Sequence, residues 1–198
     1  MALDFSGDDL SGRDLSGQDL TSAIFIDTNL YRANLSGADL EGANFTHADM
    51  SRANLSRANL HGATLTGANL SGAFLYDANL SSAYMRNADL TDAKLWKADL
   101  SRANLAGADL IRATLARANL CGANLYGADL RHAHLIFADM RYANLSGANL
   151  SGANMRYADL TGADLTDADF MDAYRRPGIS RAELDGAIGL AEATGLLD

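Results

Sequence analysis

The chain repeats itself every five residues, and this period constrains its fold more than any other feature. Every fifth residue from Phe5 to Phe170 is Leu, Phe or Met, which makes 34 large apolar positions in unbroken register. The position two residues before each large apolar residue also follows a rule. From residue 33 to residue 173 it is always Ala. A period of five fits neither an α-helix, at about 3.6 residues per turn, nor a strand, at about 2. The repeat therefore predicts a stack of short units.

The composition of the unit indicates a coil with an apolar interior and polar, turn-forming corners. Each unit reads Ala, then Asp or Asn, then the large apolar residue, then a Ser, Thr or variable position, then often Gly, as in residues 33–37. A chain that turns a corner every five residues closes a square after four units. The large side chains then point inward, and Ala fills the space near each corner. Coils in strand register lie roughly 4.8 Å apart, which predicts about eight coils in a rod about 40 Å long.

The unit Ala-(Asp/Asn)-Leu-X-X resembles that of the pentapeptide-repeat family. The resemblance covers residues 3–174 and implies an all-β solenoid, namely a right-handed quadrilateral β-helix. We therefore predict two parts, a β-helix over residues 1–174 and a C-terminal turn with a short α-helix over residues 175–198. Family membership by itself implies little about function, because one fold hosts many functions.

The first coil departs from the repeat. Its small-residue positions hold Leu3, Asp8, Arg13 and Gln18 instead of Ala. The end of a solenoid exposes core and unpaired strand edges, and terminal repeats are accordingly atypical and polar. Residues 1–20 are thus predicted to form a polar N-terminal cap coil.

The last 24 residues carry the signals of a helix. Pro177 and Gly178 predict a turn, and residues 180–183, Ser-Arg-Ala-Glu, have the form of a capping box. Apolar residues follow at helical spacing, and these are Leu184, Ala187, Ile188 and Ala191. The predicted helix covers the last coil. Its apolar side chains are also suited to pairing with a second copy, so a homodimer is one interpretation and a simple cap the other.

One side of the predicted coil has an unusual surface. Outward positions elsewhere are mostly Ser, Thr, Gly, Asp and Asn, whereas this side carries aromatic, apolar and basic residues over five consecutive coils. They are Phe74, Tyr76, Lys94, Trp96, Lys97, Arg117, His134, Ile136, Phe137 and Tyr157. Such a patch is a candidate protein-binding face. The alternative is that stacked aromatic side chains only stabilise neighbouring strands.

Charge and composition limit the binding partners and the cellular compartment that we expect for this chain. The formal net charge of −9 and the pI of about 4.7 disfavour direct binding to nucleic acid or to an anionic membrane. The charge is uneven, since the two ends are acidic and residues 51–160 are mildly basic. No apolar stretch approaches the length of a membrane span, no signal peptide is apparent, and there is a single cysteine, Cys121. We expect a cytoplasmic protein.

The sequence offers no set of residues suited to catalysis. A rod with a core of Leu and Ala has no pocket in which reactive groups converge. The four histidines fall at different positions around the coil, and only His132 and His134 lie close together. Asp and Asn exchange freely at one position, which indicates a structural role in the turn rather than acid–base chemistry. We therefore expect no enzyme activity, no cofactor and no metal.

Two functions of different classes fit these features. The first is a non-enzymatic scaffold that binds an unidentified protein partner through its coil faces. The second rests on a resemblance to the quinolone-resistance branch of the family, in which an acidic rod mimics DNA and binds DNA gyrase, a type II topoisomerase. That reading implies protection from fluoroquinolones. A third interpretation is a designed or consensus repeat protein, because 29 consecutive Ala at one position is unusually regular.

Overall fold

The architecture is a four-sided solenoid in which every coil repeats after twenty residues. We describe a computed structural model that covers residues 2–173 and 186–189. Its regular structure consists of single-residue parallel bridges at the Asp/Asn positions, separated by two-residue turns. Within residues 2–173, each bridge joins a residue to the one twenty positions later, from Asp4 with Ile24 to Asn149 with Asp169. In these residues no helix and no longer strand occurs.

Four faces, here called A to D, follow from this register. Face A contains residues 3–7, face B residues 8–12, face C residues 13–17 and face D residues 18–22, each with the residues at steps of twenty along the chain. Faces A and C are opposite sides of the square, as are B and D. A residue number alone therefore gives the face and the height of any side chain on the rod.

The unit satisfies all five of its backbone amides, which explains why the coil is regular. In residues 33–37, the amides of Asn34, Leu35 and Gly37 donate to carbonyls of adjacent coils at 2.7 to 2.9 Å. The Ala33 amide donates across the turn to the carbonyl three residues earlier at 2.9 Å. The Ser36 amide donates to Oδ1 of Asn34 at 3.2 Å. The Asp/Asn side chain thus supplies the one acceptor that the backbone lacks.

The core is a stack of identical layers. From Leu20 to Phe170, the large apolar residues are at most 3% exposed, and so are the Ala residues between them. Phe25 lies between Phe5 and Phe45 in one column, with ring centroids 5.0 and 4.7 Å away. Parallel rings at this distance add attraction beyond the burial of their area. The large apolar side chains therefore point inward, as predicted from the repeat.

The first coil is more exposed than the rest. Within residues 2–19 only Phe5, Leu10 and Leu15 are partly buried, and Leu3 is 51% exposed. This agrees with the polar terminal coil predicted from the missing Ala residues.

The described part of the C-terminal segment, residues 186–189, does not form the predicted helix. Ile188 forms a parallel bridge with Asp164, and its amide donates to the Ala163 carbonyl at 2.8 Å. The predicted helix is therefore wrong at Ala187 and Ile188. Gly186, with a φ of 69°, matches Gly162 at 68°, so these residues imitate a repeat unit and add a further rung to the coil. Leu184 and Ala191 lie outside the described residues.

Candidate protein-binding face

The ten residues singled out from the sequence all lie on face C. The rings of Phe74, Tyr76, Trp96, Phe137 and Tyr157 are between 37 and 53% exposed. Lys97, Arg117 and His134 are also exposed, whereas Lys94 and Ile136 are half-buried. The register of twenty brings them together, because the bridges of this face run from Asn54 through Phe74, Lys94, Thr114 and His134 to Asn154.

Aromatic rings on this face contact one another in two groups. Phe74 and Tyr76 lie on the same coil with ring centroids 6.1 Å apart and planes tilted by 41°. Phe137 and Tyr157 lie on adjacent coils, with centroids 4.7 Å apart and planes within 12°. Large, rigid rings of this kind provide contact area at a low cost in conformational entropy, which is typical of protein-binding surfaces.

Lys97 and Arg117 on face C lie over aromatic rings rather than beside carboxylates. Lys97 Nζ is 4.4 Å from the centre of the Trp96 ring, and the Arg117 guanidinium is 5.7 Å from that of Phe137. By contrast, the ion pairs of the described residues involve Arg112, Arg131 and Arg141 on faces B and D. Arg141 holds the pKa of Asp139 below its usual range through a side-chain hydrogen bond.

Face C is the one positive face of the described solenoid. Residues 2–173 place six basic and two acidic side chains on face C. Face A has one basic and four acidic side chains, face B has four basic and nine acidic ones, and face D has two basic and six acidic ones. The mildly basic middle of the chain is therefore a basic stripe along one side of an acidic rod. Such a stripe attracts acidic partners and orients them.

The corners of face C are unusual in their lack of glycine. Each unit has one corner residue in the left-handed region, where glycine is favoured and other residues are strained. On face C this position lacks glycine over six consecutive coils, with φ between 55 and 60°. These residues are Arg57, Asp77, Lys97, Arg117, Phe137 and Tyr157. Elsewhere in the described solenoid the longest such run is three. Strain accepted repeatedly along one edge supports a functional role for its side chains.

Three residues of this face were missed in the sequence. Arg57 and Asp77 precede the predicted group in the same corner column, and together with Tyr76 they line a shallow recess at its N-terminal side. The Arg156 guanidinium lies 5.5 Å from the centre of the Tyr157 ring, and its Nε atom is buried without a partner. Reading the corner column for the absence of Gly would have found the first two.

The repeats of this chain match a known protein family. The family model described as pentapeptide repeats (8 copies) matches the chain over residues 3–37, 23–62, 33–72, 58–96, 98–135 and 133–172. The chain belongs to the pentapeptide repeat family. Pentapeptide repeat proteins fold as right-handed quadrilateral β-helices, as the resemblance implied. No curated protein sequence matches the chain.

Solved structures of pentapeptide repeat proteins resemble this one over nearly its whole length. HetL, a protein involved in heterocyst differentiation regulation from the cyanobacterium Nostoc sp. strain PCC 7120, is 34% identical with a TM-score of 0.75. That match covers 97% of this chain and 84% of HetL. A trypsin-treated form of QnrB1, a plasmid-mediated fluoroquinolone resistance protein, is 22% identical with a TM-score of 0.70. That match covers 95% of this chain and 90% of QnrB1. At this sequence identity, the similarity shows only that the two proteins share a fold.

Other surfaces of this pentapeptide repeat protein are less suited to a site. Tyr84 and Tyr126 are exposed on face A, two coils apart, and form no ring contact with each other in the described structure. No group of three or more residues that could hold a metal ion occurs in residues 2–173 and 186–189. No helix among these residues is long and apolar enough to span a membrane.

Proposed function

We propose that this pentapeptide repeat protein is a non-enzymatic scaffold that binds a protein partner through face C. The observation that carries the proposal is the coincidence of positive charge, exposed aromatic rings and glycine-free corners on one face. Aromatic residues and arginine are the residue types that dominate protein–protein interfaces. Members of the family are in general non-enzymatic structural or binding proteins.

The test compares partner capture by two matched double variants. Tyr76→Ala with Trp96→Ala removes two exposed rings of face C, and Tyr84→Ala with Tyr126→Ala removes two exposed rings of face A. We expect the face C variant to lose the partner and the face A variant to retain it, while both unfold at similar temperatures. Retention of every captured protein by the face C variant would refute the proposal.

A second candidate is the regulation of DNA gyrase by an acidic rod that takes the place of DNA. The observation in its favour is the excess of carboxylates on faces A, B and D. Face B is the most acidic, with Asp89, Asp109 and Asp129 in consecutive coils. The positive face C argues against it, since a mimic of DNA is acidic on the surface that the enzyme binds. Unchanged supercoiling by gyrase at micromolar protein, with and without fluoroquinolone, would eliminate this candidate.

Self-association is a further proposal about the C-terminal segment. Ile188 is 62% exposed on the added rung, where a second copy could cover it. Light scattering of the full chain and of Ile188→Glu tests this, because a charge at a dimer contact dissociates the pair. A monomer for both proteins would leave face C as the interaction surface to pursue.

A further inference from the structure

Four consecutive coils of face C leave a backbone amide without an acceptor. In the ordinary unit this amide donates to the Asp or Asn two residues earlier, as Ser36 does to Asn34. On face C the Asp/Asn position is instead occupied by Phe74, Lys94, Thr114 and His134. The backbone amides two residues after these positions therefore have no hydrogen-bond acceptor in the described part of the chain. They are the amides of Tyr76, Trp96, Ala116 and Ile136.

This column of amides is specific to face C. On faces B and D, every such position in the described solenoid is Asp or Asn. On the opposite face A, the same replacement leaves at most two consecutive amides unpaired, those of Thr66 and Arg86. Face C therefore presents four donors, one per coil, at the spacing of roughly 4.8 Å that separates stacked strands.

The missing acceptor indicates the chemistry of what binds there. On faces B and D of the described solenoid, all of these amides except that of Ile111 are paired by a carboxylate or carboxamide oxygen of the chain itself. Amides on a surface that lack such a partner bond to water, and an acceptor from another molecule can replace that water. A carboxylate forms the stronger, charge-assisted bond, and the cations Lys94, Lys97 and Arg117 stand within two residues of these amides.

We propose that face C receives the carboxylates of an acidic segment of a partner protein. The partner's Asp or Glu side chains bond to the amides from Tyr76 to Ile136 and take the place of the missing Asp/Asn oxygens. Their charge is balanced by the unpaired cations, and apolar side chains beside them pack on the exposed rings. The inference rests on the proposed function, since it assumes that face C is where the partner docks.

A protein segment fits this face better than a nucleic acid strand. The corner column of cations is interrupted by Asp77, and the next column, on face D, carries Asp99, Asp139 and Asp159. A phosphate backbone places a charge at every nucleotide and would meet these carboxylates. Single carboxylates spaced along a polypeptide can avoid them.

The probe is a soluble twelve-residue peptide of alternating Glu and Ala, titrated into the full chain. Two signals report on face C, the amide resonances of Tyr76, Trp96, Ala116 and Ile136, and the fluorescence of Trp96, which is the single tryptophan of the chain. We expect these four amide protons to move downfield together and the affinity to fall with added salt. The same peptide with Gln for Glu, and oligo-deoxythymidine of equal length, serve as comparison ligands.

Thr114→Asn is the decisive variant because it restores the internal acceptor for the Ala116 amide without removing a charge or a ring. Asn already occupies this position in many other units, so the variant is compatible with the fold. We expect it to weaken binding of the Glu peptide about fivefold, the effect of losing one hydrogen bond. Thr64→Asn makes the same substitution on face A and should leave the affinity unchanged.

Three results would overturn the inference. They are equal binding of the Gln peptide, tighter binding of oligo-deoxythymidine, and an absence of any shift at the four amides with the Glu peptide. If these occur while Tyr76→Ala with Trp96→Ala still abolishes partner capture, face C binds its partner by other contacts. The proposed function then stands and only the role of carboxylates fails.

Discussion

The Oγ1 atom of Thr28 donates a 2.7 Å hydrogen bond to the carbonyl oxygen of Phe5. Thr28 occupies a small-residue position, and among the described residues it is the one polar side chain that is fully buried. The bond ties the second coil to the first, where no Ala is present at the small-residue positions. It thus strengthens the N-terminal end at the point where core packing is weakest.

Thr28→Val should lower the free energy of unfolding by about 1 kcal/mol, because it keeps the shape of the side chain and removes the hydrogen bond. Urea denaturation followed by circular dichroism measures the change. Thr66→Val is the matched control, since the half-buried Thr66 side chain forms no hydrogen bond in the described structure. Equal midpoints for Thr28→Val and the unsubstituted protein would show that the bond contributes nothing.

The unbroken column of Ala predicts a sharp asymmetry between inward and outward substitutions. Ala113 is fully buried near a corner, and Ala116, three residues later, faces outward. Ala113→Val should destabilise the protein by about 1–3 kcal/mol, because added methyl groups overpack a filled core. Ala116→Val should change stability by less than about 0.5 kcal/mol. Thermal unfolding of both variants tests this, and tolerance of Ala113→Val would mean that the corner has spare volume.

The glycine-free corners of face C predict a conflict between stability and binding. Arg57 has a φ of 60° and is exposed. Arg57→Gly should raise the free energy of unfolding by about 0.5–1 kcal/mol, because glycine adopts this conformation without strain. It should also weaken binding of an acidic peptide by removal of a cation.

Gly127→Ala is the reverse control for this corner effect. Gly127 also has a φ of 60°, and an added Cβ would meet no atom within 4 Å, so only backbone strain changes. We expect a loss of about 1 kcal/mol in unfolding free energy. Unchanged stability in both variants would mean that the left-handed corner carries no penalty in this fold.

Asp109 predicts a dependence of stability on pH. Partial desolvation of the largely exposed side chain, followed by the charges of Asp89 and Asp129, raises the pKa of Asp109 above its usual range. The folded state therefore binds the proton more tightly than the unfolded state, so stability is lost as pH rises from the unfolded pKa through the folded pKa. The loss of stability caused by the ionised Asp109 is absent below about pH 4 and complete at neutral pH.

Asp109→Asn should remove this penalty and restore an amide donor toward Asp89, as Asn119 provides to Asp99 at 3.1 Å. We expect a rise of about 1–3 °C in melting temperature at pH 7, a modest value because the side chain is largely solvated. The advantage should shrink as the pH is lowered toward 4. An advantage that persists unchanged in acid would assign the effect to the amide alone.

Much of this structure was predictable because the repeat leaves few alternatives. The inward Leu column, the Ala corners and the grouping of Phe74, Trp96 and Phe137 on one face all follow from counting residues in steps of five and twenty. The count also holds across residues 33–173 because no insertion interrupts them. Periodicity of this strength overrides local propensity.

Two features were beyond the pattern. Ala187 and Ile188 have helical spacing within the tail, yet pairing with Ala163 and Asp164 places them in the coil, so a tertiary contact decided their structure. The unpaired amides of face C were also not foreseen. The replacement of Asp and Asn by Phe74, Lys94, Thr114 and His134 was visible in the sequence. Its effect on the backbone required the hydrogen bonds of the whole unit.

The twenty-residue register has a consequence for how such a chain can change in length. Loss of one five-residue unit between Lys97 and Arg117 would keep every core layer intact, because all four sides use the same inward residues. It would, however, rotate everything that follows by a quarter turn and move Phe137 and Tyr157 onto face B. Gain or loss of a whole coil preserves both the core and the face. Only events in multiples of twenty residues can lengthen this rod and leave the residues of face C on one side of it.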